Sequence, residues 1–439
     1  MTHKSSYSNP QLLAAIDLGS SRCTTLIASR DAQSGECKIV GMGQIPSKGM
    51  RRSTIINLEE AAATIERSVA AAEKICGHNI DNVYLSVSGK HIDSQNSQGT
   101  VVIVDANNEI HEEDVDRSIE QARTLTLSAD REVLNLIPRF FTVDGHEGIK
   151  DPIGMVGMKL ETHVHLITAS SSALRNLEKA LSDINLNVEA FVFSGFAASE
   201  VVLSEDEKDA GVICIDIGAD TTSFCVYSEG AIQFSGVVPI GGRYITQDIN
   251  AYIHLGLENA EKIKIELSNQ TPPEPRGADE SLSEYHRRMR VFDSLDLTKY
   301  DPSAKARGIT KSTLIRDVIA PRVKEIFTLI SDELKKRKIG TDLGAGAVIV
   351  GGSARTICLR DIASEVLNMQ VRLGVPKEIK GVIRHLDDPA YATAVGLLKY
   401  AAGASNQLAT PTENATDNKK DPWGNFFKQL SQSVKKLMP

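Results

Sequence analysis

The sequence predicts an α/β protein made of two similar halves, with a smaller unit set into the first. Three observations carry this reading. The stretch GVICIDIGADTTSFCVYSEG (211–230) is an apolar run that ends in Asp-Ile-Gly, passes through small hydroxyl residues and becomes apolar again. The stretch AAIDLGSSRCTTLIAS (14–29) repeats it, with Asp17 matching Asp216 and Gly19 matching Gly218 at a separation of 199 positions. Between the two copies, residues 90 to 169 carry their own strand and helix patterns and read as a small separate module.

Taken in order, residues 1–10 read as a disordered leader. From Leu12 come a strand, the first glycine turn and a second strand, then another strand near 38–44. A helix over 57–76 follows. Asn57 can cap it, Glu59 and Glu60 sit in the first turn where the helix dipole favours them, and Ile65, Val69 and Ala72 recur at helical spacing. VYLSVSG (83–89) is a closing strand. In the module, TVVIVD (100–105) predicts a strand and EEDVDRSIEQARTL (112–125) a helix, while REVLNLIPRFFTVDG and ETHVHLITAS are strand-rich. The helix SALRNLEKALSDI returns the chain to the first half. Residues 250–338 are mostly helical, interrupted by the Pro- and charge-rich excursion TPPEPRGADESLSEYHRRMR. GAVIVGG is a strand, followed by a helix, another strand and a last helix over 389–401. From 403 to 422 almost no large apolar residue occurs, the composition of a flexible tether.

Composition bounds the rest. A chain of 439 residues is long enough for roughly three domains. A net charge of −8 gives no global nucleic-acid footprint, so no nucleic-acid partner is expected. The six cysteines (23, 37, 76, 214, 225, 358) form no C-x-x-C pair, which reads as a reducing compartment. The opening MTHKSSYSNPQ lacks the apolar core of a signal peptide, and no apolar run approaches the ~20 residues of a membrane span. The body of the protein is expected to be soluble and cytoplasmic.

Glycine after a strand permits unusual dihedrals and leaves several N–H groups aimed into one concavity, a nest suited to phosphates. The candidates are Gly19, Ser20, Ser21 and Arg22 in the first loop and Gly218, Ala219, Asp220, Thr221 and Thr222 in the second. Asp17 and Asp216 cannot bind phosphate themselves, because like charges repel, but they can hold a hydrated Mg²⁺ that neutralises it. One Asp-x-Gly is commonly just a hairpin turn. Two copies suggest two halves gripping one polyphosphate from opposite sides. A third element, AGAVIVGGSART (345–356), reads as strand, double glycine and helix. It is either tight strand–helix packing or, through Gly351, Gly352 and Ser353, a close backbone approach to a planar base and its ribose.

In this order the three stretches resemble the ATP-binding signatures of the actin, Hsp70 and sugar-kinase superfamily. FVFSGFAASEVVL (191–203) and PAYATAVGLLKYA (389–401) match its connecting helices, whose small residues let the halves shear or hinge over a nucleotide. The resemblance brings in Gly241 and Gly242 as further phosphate contacts, and Glu261 and Lys262 of ENAEKIKIEL as contacts to base and ribose; an exposed helix face is the other reading of that pair. Within the superfamily the chain is most similar to the FtsA family of actin-like cell-division proteins, through YLSVSGKHIDSQNSQG, VLNLIPRFFTVDGHEGIKDPIGMVG, KLETHVHLITAS and GLENAEKIKIE. The resemblance covers residues 12–402 and recurs in the tail. It implies a ribonuclease H-like duplicated, two-lobed ATPase fold. Subdomain 1A would comprise 11–89, 170–208 and 381–402; inserted subdomain 1C, 90–169; subdomain 2A, 209–249 and 321–380; and subdomain 2B, 250–320. The match is weakest over 268–308.

The family also implies ATP and Mg²⁺ as ligands, self-association into filaments through 1C, contacts of 1C with later division proteins, and binding of the C-terminal peptide of the tubulin-like FtsZ. Arg316, Arg322 and Lys324 lie near an apolar stripe in the neighbourhood that would receive that peptide. Two departures bear on chemistry. Ala219 stands where many relatives have a second glycine, and Ser194 where several actin-like relatives place a Glu or Gln that orients the attacking water. At most slow ATP hydrolysis is expected.

The tail DPWGNFFKQLSQSVKKLMP places Trp423, Phe426, Phe427, Leu430, Val434, Leu437 and Met438 within an arc of about 120° on a helix. Lys428, Lys435 and Lys436 fall outside it. Such a helix over 423–439 suits the interface of an anionic membrane, here the inner face of the cell membrane at the division site. Docking on the protein's own core, which the long polar tether argues against, or into a partner's groove is the other reading. Rival functions are a pilus-assembly adaptor resembling PilM, which needs no such tail, and a small-molecule kinase, which needs a catalytic aspartate that is not evident. His163 and His165 share one face of a predicted strand, but no third metal ligand lies nearby in sequence. The basic run HRRMR (286–290) is either a solvated face or a contact for an acidic partner.

Overall fold

The computed structural model describes residues 11–405, apart from 32–34, 124–127, 272, 303, 305–307, 341, 378–379, 382 and 384–385. The leader, most of the tether and the whole tail lie outside the described residues.

The duplicated sequence pattern becomes a duplicated sheet. In the first half, β1 (Gln11–Leu18), β2 (Arg22–Arg30) and β3 (Cys37–Pro46) form an antiparallel meander. The hairpin strands β4 (Met50–Arg51) and β5 (Thr54–Ile55) and helix α1 (Leu58–Cys76) lead to β6 (Asn82–Val87), which lies parallel to β1. Asn57 caps α1 through its side chain, as its sequence position predicts. The chain then leaves this half for β7 (Asp93–Val102), α2 (Glu112–Arg123), β8 (Arg131–Val143), β9 (His146–Ile149) and β10 (Lys159–Ser170). It returns through α3 (Ser171–Ser182) and β11 (Asn187–Phe193), giving the strand order β11-β6-β1-β2-β3.

Helices α4 (Ser194–Val202) and α5 (Glu205–Ala210) cross to the second half. There β12 (Val212–Ile217), β13 (Thr222–Ser228) and β14 (Ala231–Val238) repeat the meander. Helices α6 (Gly242–Ile253), α7 (Leu257–Asn269), α8 (Leu282–Asp293), α9 (Lys311–Leu314) and α10 (Ala320–Lys336) follow. Then come β15 (Ala347–Val350), α11 (Leu359–Leu367) and β16 (Val371–Leu373), with α12 (Ala392–Ser405) last. The strand order β14-β13-β12-β15-β16, with β15 parallel to β12, is that of the first sheet strand for strand. A right-handed crossover through a helix is the ordinary way to add such parallel strands.

The inserted module is an antiparallel sheet, β7-β10-β8-β9, backed by α2. Its own core includes Ile110, Val115, Ile119, Phe141, Leu160 and Val164. Leu134, Ile167 and Ala169 belong instead to the core of the first half, so the module is rooted there by packing as well as by chain.

Several expectations are adjusted. The strand expected at 100–105 runs from Asp93 to Val102, and Val104 is exposed beyond it. The helix expected to 125 is described to Arg123. Half of the Pro- and charge-rich excursion is helical. Ser281 and Glu284 form a reciprocal capping box that starts α8, although the helix buries none of its residues. The double glycine is followed by turns, and α11 begins only at Leu359. The last helix starts with a 3-10 turn at Pro389–Tyr391 and continues to Ser405, into the stretch read as tether. A π-helical stretch at Ile315–Ile319 breaks the long helix ahead of Pro321, which has no N–H to give.

Candidate functional site

Both Asp-Gly turns adopt the same local geometry. Gly19 N–H donates to Arg22 O and Gly218 N–H to Thr221 O, each at 3.0 Å, so each loop turns back on itself directly after its strand. β1 delivers Asp17 and β12 delivers Asp216 to one cleft, where both are half-buried. Ser86 Oγ donates to Asp17 at 2.7 Å, and Thr393 Oγ1 to Asp216 at 3.1 Å. Burial raises the Asp17 carboxyl above its ordinary range, against the pull of Ser86 and Arg22. Burial, and then the charge of Asp17, push Asp216 up to about 7. Two carboxylates held near each other with too little positive charge are a donor set that a divalent cation would relieve.

The remaining loops close around this pair. Arg22 reaches across to donate to Ala390 O at 2.7 Å, and its guanidinium lies 5.2 Å from the Tyr391 ring centre. Gly242 N–H donates to Gly218 O at 2.9 Å and Arg243 N–H to Ala219 O at 2.8 Å. A Cβ on Gly241 would stand 2.6 Å from both of those carbonyl oxygens, so only glycine fits. Ser353 Oγ also donates to Gly218 O, at 3.1 Å, and a side chain on Gly351, which has φ +94°, would overlap the Asp216 carboxylate. Thus Gly19 to Arg22, Gly218 to Thr221, Gly241, Gly242 and Gly351 to Ser353 converge on one cleft with Asp17 and Asp216. Thr222 does not open into it: its hydroxyl is buried and donates to Ile240 O.

On α7, Glu261 bonds Thr246 and pairs with Lys264 at 2.8 Å, while Lys262 points to the exposed side and pairs with Glu258 at 2.7 Å. Lys264, which the sequence reading passed over, is the buried cation here. It donates to Gly242 O at 3.2 Å and to Thr246 at 3.0 Å. Its one sequence signal was its position a helical turn after Glu261. Ser194, Ser223, Ser88, Thr221 and Ser53 form a chain of hydroxyls across the cleft, with contacts of 3.0, 2.8, 3.5 and 2.9 Å.

Elsewhere, Arg316 pairs with Asp317, Arg322 with Asp248 and Glu325, and Lys324 with Glu365. Arg322, Asp248, Asp317 and Glu325 line a groove between α6 and the start of α10; Lys324 and Glu365 do not. His163 and His165 do not come together as a metal pair. His163 stacks on Phe140, whereas His165 is fully buried with Nδ1 2.6 Å from Asn96 Oδ1 and Nε2 3.0 Å from Ser235 Oγ. Among the described residues no group of three or more His, Cys, Asp or Glu could hold a metal, and no helix is long and apolar enough to cross a membrane.

The family model "SHS2 domain inserted in FTSA" matches residues 89–168, and the model "Cell division protein FtsA" matches residues 213–396. The cell division protein FtsA of Pseudomonas aeruginosa is 32% identical over 390 residues, 89% of each chain. The chain belongs to the FtsA family. FtsA of Neisseria meningitidis is 32% identical over 96% of this chain and 97% of its own, and that of Escherichia coli 32% over 89% and 90%. Membership makes this an actin-like cell-division protein, and the solved structures agree on the fold. The PilM-PilN type IV pilus biogenesis complex superposes with a TM-score of 0.60 at 15% identity over 89% of this chain and 98% of that one. MreB 5 of Spiroplasma citri bound to AMPPNP gives 0.50 at 11% over 90% and 96%. The two-lobed fold with its inserted module is therefore that of the FtsA family.

Proposed function

We propose that this FtsA-family chain binds MgATP between its two lobes and uses the bound state to set lobe orientation for assembly and membrane attachment. The observation that carries this is the convergence of Asp17 and Asp216, both with raised carboxyl pKa, on a cleft framed by two identical glycine turns. Asp17 and Asp216 would hold Mg²⁺ through water. The loop amides of 19–22 and 218–221 would face the phosphates, with Arg22 adding charge. Gly351 to Ser353 and Glu261 would lie toward the base and ribose, and Lys262, now paired outward, would have to turn in to join them. When bound, the nucleotide would add a further charged bridge between the lobes. The hydroxyl chain through Ser194 and Ser223 contains no carboxylate or amide to activate water, which supports slow hydrolysis at most.

In this reading 1A, 1C, 2A and 2B follow the boundaries given above, and subunits associate through 1C. The groove beside Arg322 receives the FtsZ C-terminal peptide, whose acidic groups would compete with Asp248, Asp317 and Glu325 for the cations already paired there. The helix at 423–439 attaches the assembly to the inner face of the membrane, with Trp423, Phe426, Phe427, Leu430, Val434 and Leu437 inserted and Lys435 and Lys436 at the anionic headgroups. One short helix suffices because a polymer presents many copies. Flotation with anionic liposomes and MgATP tests this, comparing the full chain with one cut after Gly403. The full chain is expected to float and to carry FtsZ, and the cut chain to stay behind. Equal behaviour of the two would remove the membrane role.

A further inference from the structure

We propose that the tip of the β4–β5 hairpin, together with Arg243, is a third anion-contacting element of the cleft. In this view the Asp220 carboxylate occupies its donors until a terminal phosphate replaces it. The proposal rests on the nucleotide reading above and deepens it.

The tip residues Arg52 and Ser53 have φ of +50° and +58°, a conformation that side-chain-bearing residues rarely adopt. Paired two-residue turns of this kind normally use Asn-Gly, so the turn sequence does not account for the shape. Contacts across the cleft do. Arg52 N–H donates to Asp220 Oδ2 at 2.7 Å, Ser53 N–H donates to Ser20 Oγ at 2.8 Å, and the Ser53 and Thr221 hydroxyls lie 2.9 Å apart. One short tip thus bonds the phosphate loops of both lobes.

Asp220 is the unusual partner. It puts a negative charge inside a loop built to receive anions, and its residue is only 4% exposed. Arg243 Nε stands 2.8 Å from its other oxygen, and Arg243 Nη2 donates to Ser20 O at 2.7 Å. A carboxylate held by a backbone N–H bond on one oxygen and by the charge of a guanidinium beside the other, which has no hydrogen bond, is a bound anion that happens to be internal. A phosphoryl oxygen asks for the same donors. The two negative groups cannot share them, because like charges at contact distance repel strongly.

Position decides which phosphate is involved. Ser353 bonds the start of the second loop, at Ile217 O and Gly218 O, whereas the tip contacts the loop further along, at Asp220 and Thr221. With the base and ribose at the double-glycine end, the tip meets the far end of the phosphate chain. A diphosphate then leaves Asp220 latched on Arg52 and Arg243, and a triphosphate displaces it and frees the hairpin from the second lobe.

The test is calorimetric titration of the full chain with MgAMP-PNP and with MgADP. Asp220→Asn keeps an acceptor for Arg52 but removes the competing charge. It is expected to tighten the triphosphate about tenfold while moving the diphosphate less than about threefold. Arg243→Gln is expected to weaken the triphosphate about tenfold with a similarly small effect on the diphosphate. Ser53→Ala, a small change at the tip, should also weaken the triphosphate selectively and keeps the test decisive if a charge variant misfolds. Variants that shift both nucleotides equally, or neither, while the wild type binds both, overturn the proposal and leave the cleft reading intact. A wild-type chain that binds neither nucleotide overturns both.

Discussion

At the scale of single residues, the cleft is defined by charges that the fold has not neutralised. Asp17 and Asp216 repel each other across it, and the nearby hydroxyls and Arg22 only partly offset their burial. Asp216→Asn removes that repulsion. The nucleotide-free variant is therefore expected to melt at or above the wild-type temperature, yet to lose most of the extra stabilisation that Mg²⁺ gives with ATP. A thermal melt with ATP, with and without Mg²⁺, checks both halves, and an unchanged Mg²⁺ effect would remove Asp216 from the metal role. His165 offers a second residue-scale test. Burial, and then the charge of Arg139, push its imidazole down to about 3. In the unfolded chain it takes a proton near pH 6.5. Between these values the unfolded state binds more protons, so this contribution is complete above about pH 6.5 and declines as pH falls, by up to about 1.4 kcal/mol per pH unit. Denaturant melts at pH 7 and pH 5 should show a larger loss for the wild type than for His165→Gln, and parallel losses would mean another group dominates.

At the scale of elements, small side chains decide how closely helices approach, and here the sequence was most and least informative by turns. The connecting helices α4 and α12 touch at Gly396, where a Cβ would overlap the Ala197 carbonyl oxygen. Gly396→Ala is expected to force them apart and to cost about 1–3 kcal/mol despite alanine's better helix propensity, as read by denaturant unfolding. A neutral or stabilising result would show that the pair can slide freely. This contact was legible in advance, because small residues crowd both helices. So were the two lobes, since Asp17 with Gly19 and Asp216 with Gly218 mark the same strand end twice. Helix α8 was hidden although its Ser281–Glu284 box was in plain sequence, because the surrounding prolines and charges carry no apolar period. The β4–β5 tip was invisible for a different reason. Arg-Ser is no turn signal, and its shape is held by Ser20, Asp220 and Thr221 from two other loops. Lys264 was missed because burial of a helix lysine depends on what packs over it.

At the scale of the whole molecule, the inserted module ties the lobes together at a second place. It is rooted in the first lobe through Leu134, Ile167 and Ala169, and its edge strand β7 meets the edge strand β14 of the second. Ser94 Oγ donates to Ser235 O at 2.7 Å and accepts from Ser235 N–H at 3.1 Å, Asn96 donates to Gln233 O at 3.2 Å, and Arg139 bonds the Gln233 side chain. His165 sits beneath this seam with both ring nitrogens engaged. Arg337 adds an ion pair to Asp93 at 2.9 Å. The buried members of this seam, Ser94, His165 and Ser235, satisfy one another and are costly to separate, because each would lose its partner. The cleft end is different: its cross-lobe bonds run through hydroxyls, a loop carboxylate, the Arg243 guanidinium and a hairpin tip in an unfavourable backbone conformation. The lobes should therefore move like a jaw that opens at the hairpin and stays shut at the seam. Hydrogen exchange on the full chain separates this from a rotation of whole lobes. Without nucleotide, exchange should be fast at 50–55 and 218–221 and slow at 94–97 and 233–235. MgATP should slow the first pair about tenfold or more and leave the second nearly unchanged, since protection reports local opening. If MgATP instead changes the seam as much as the hairpin, the module and the second lobe do not move as one body, and whatever reads the nucleotide state at the module reads it through a broken contact.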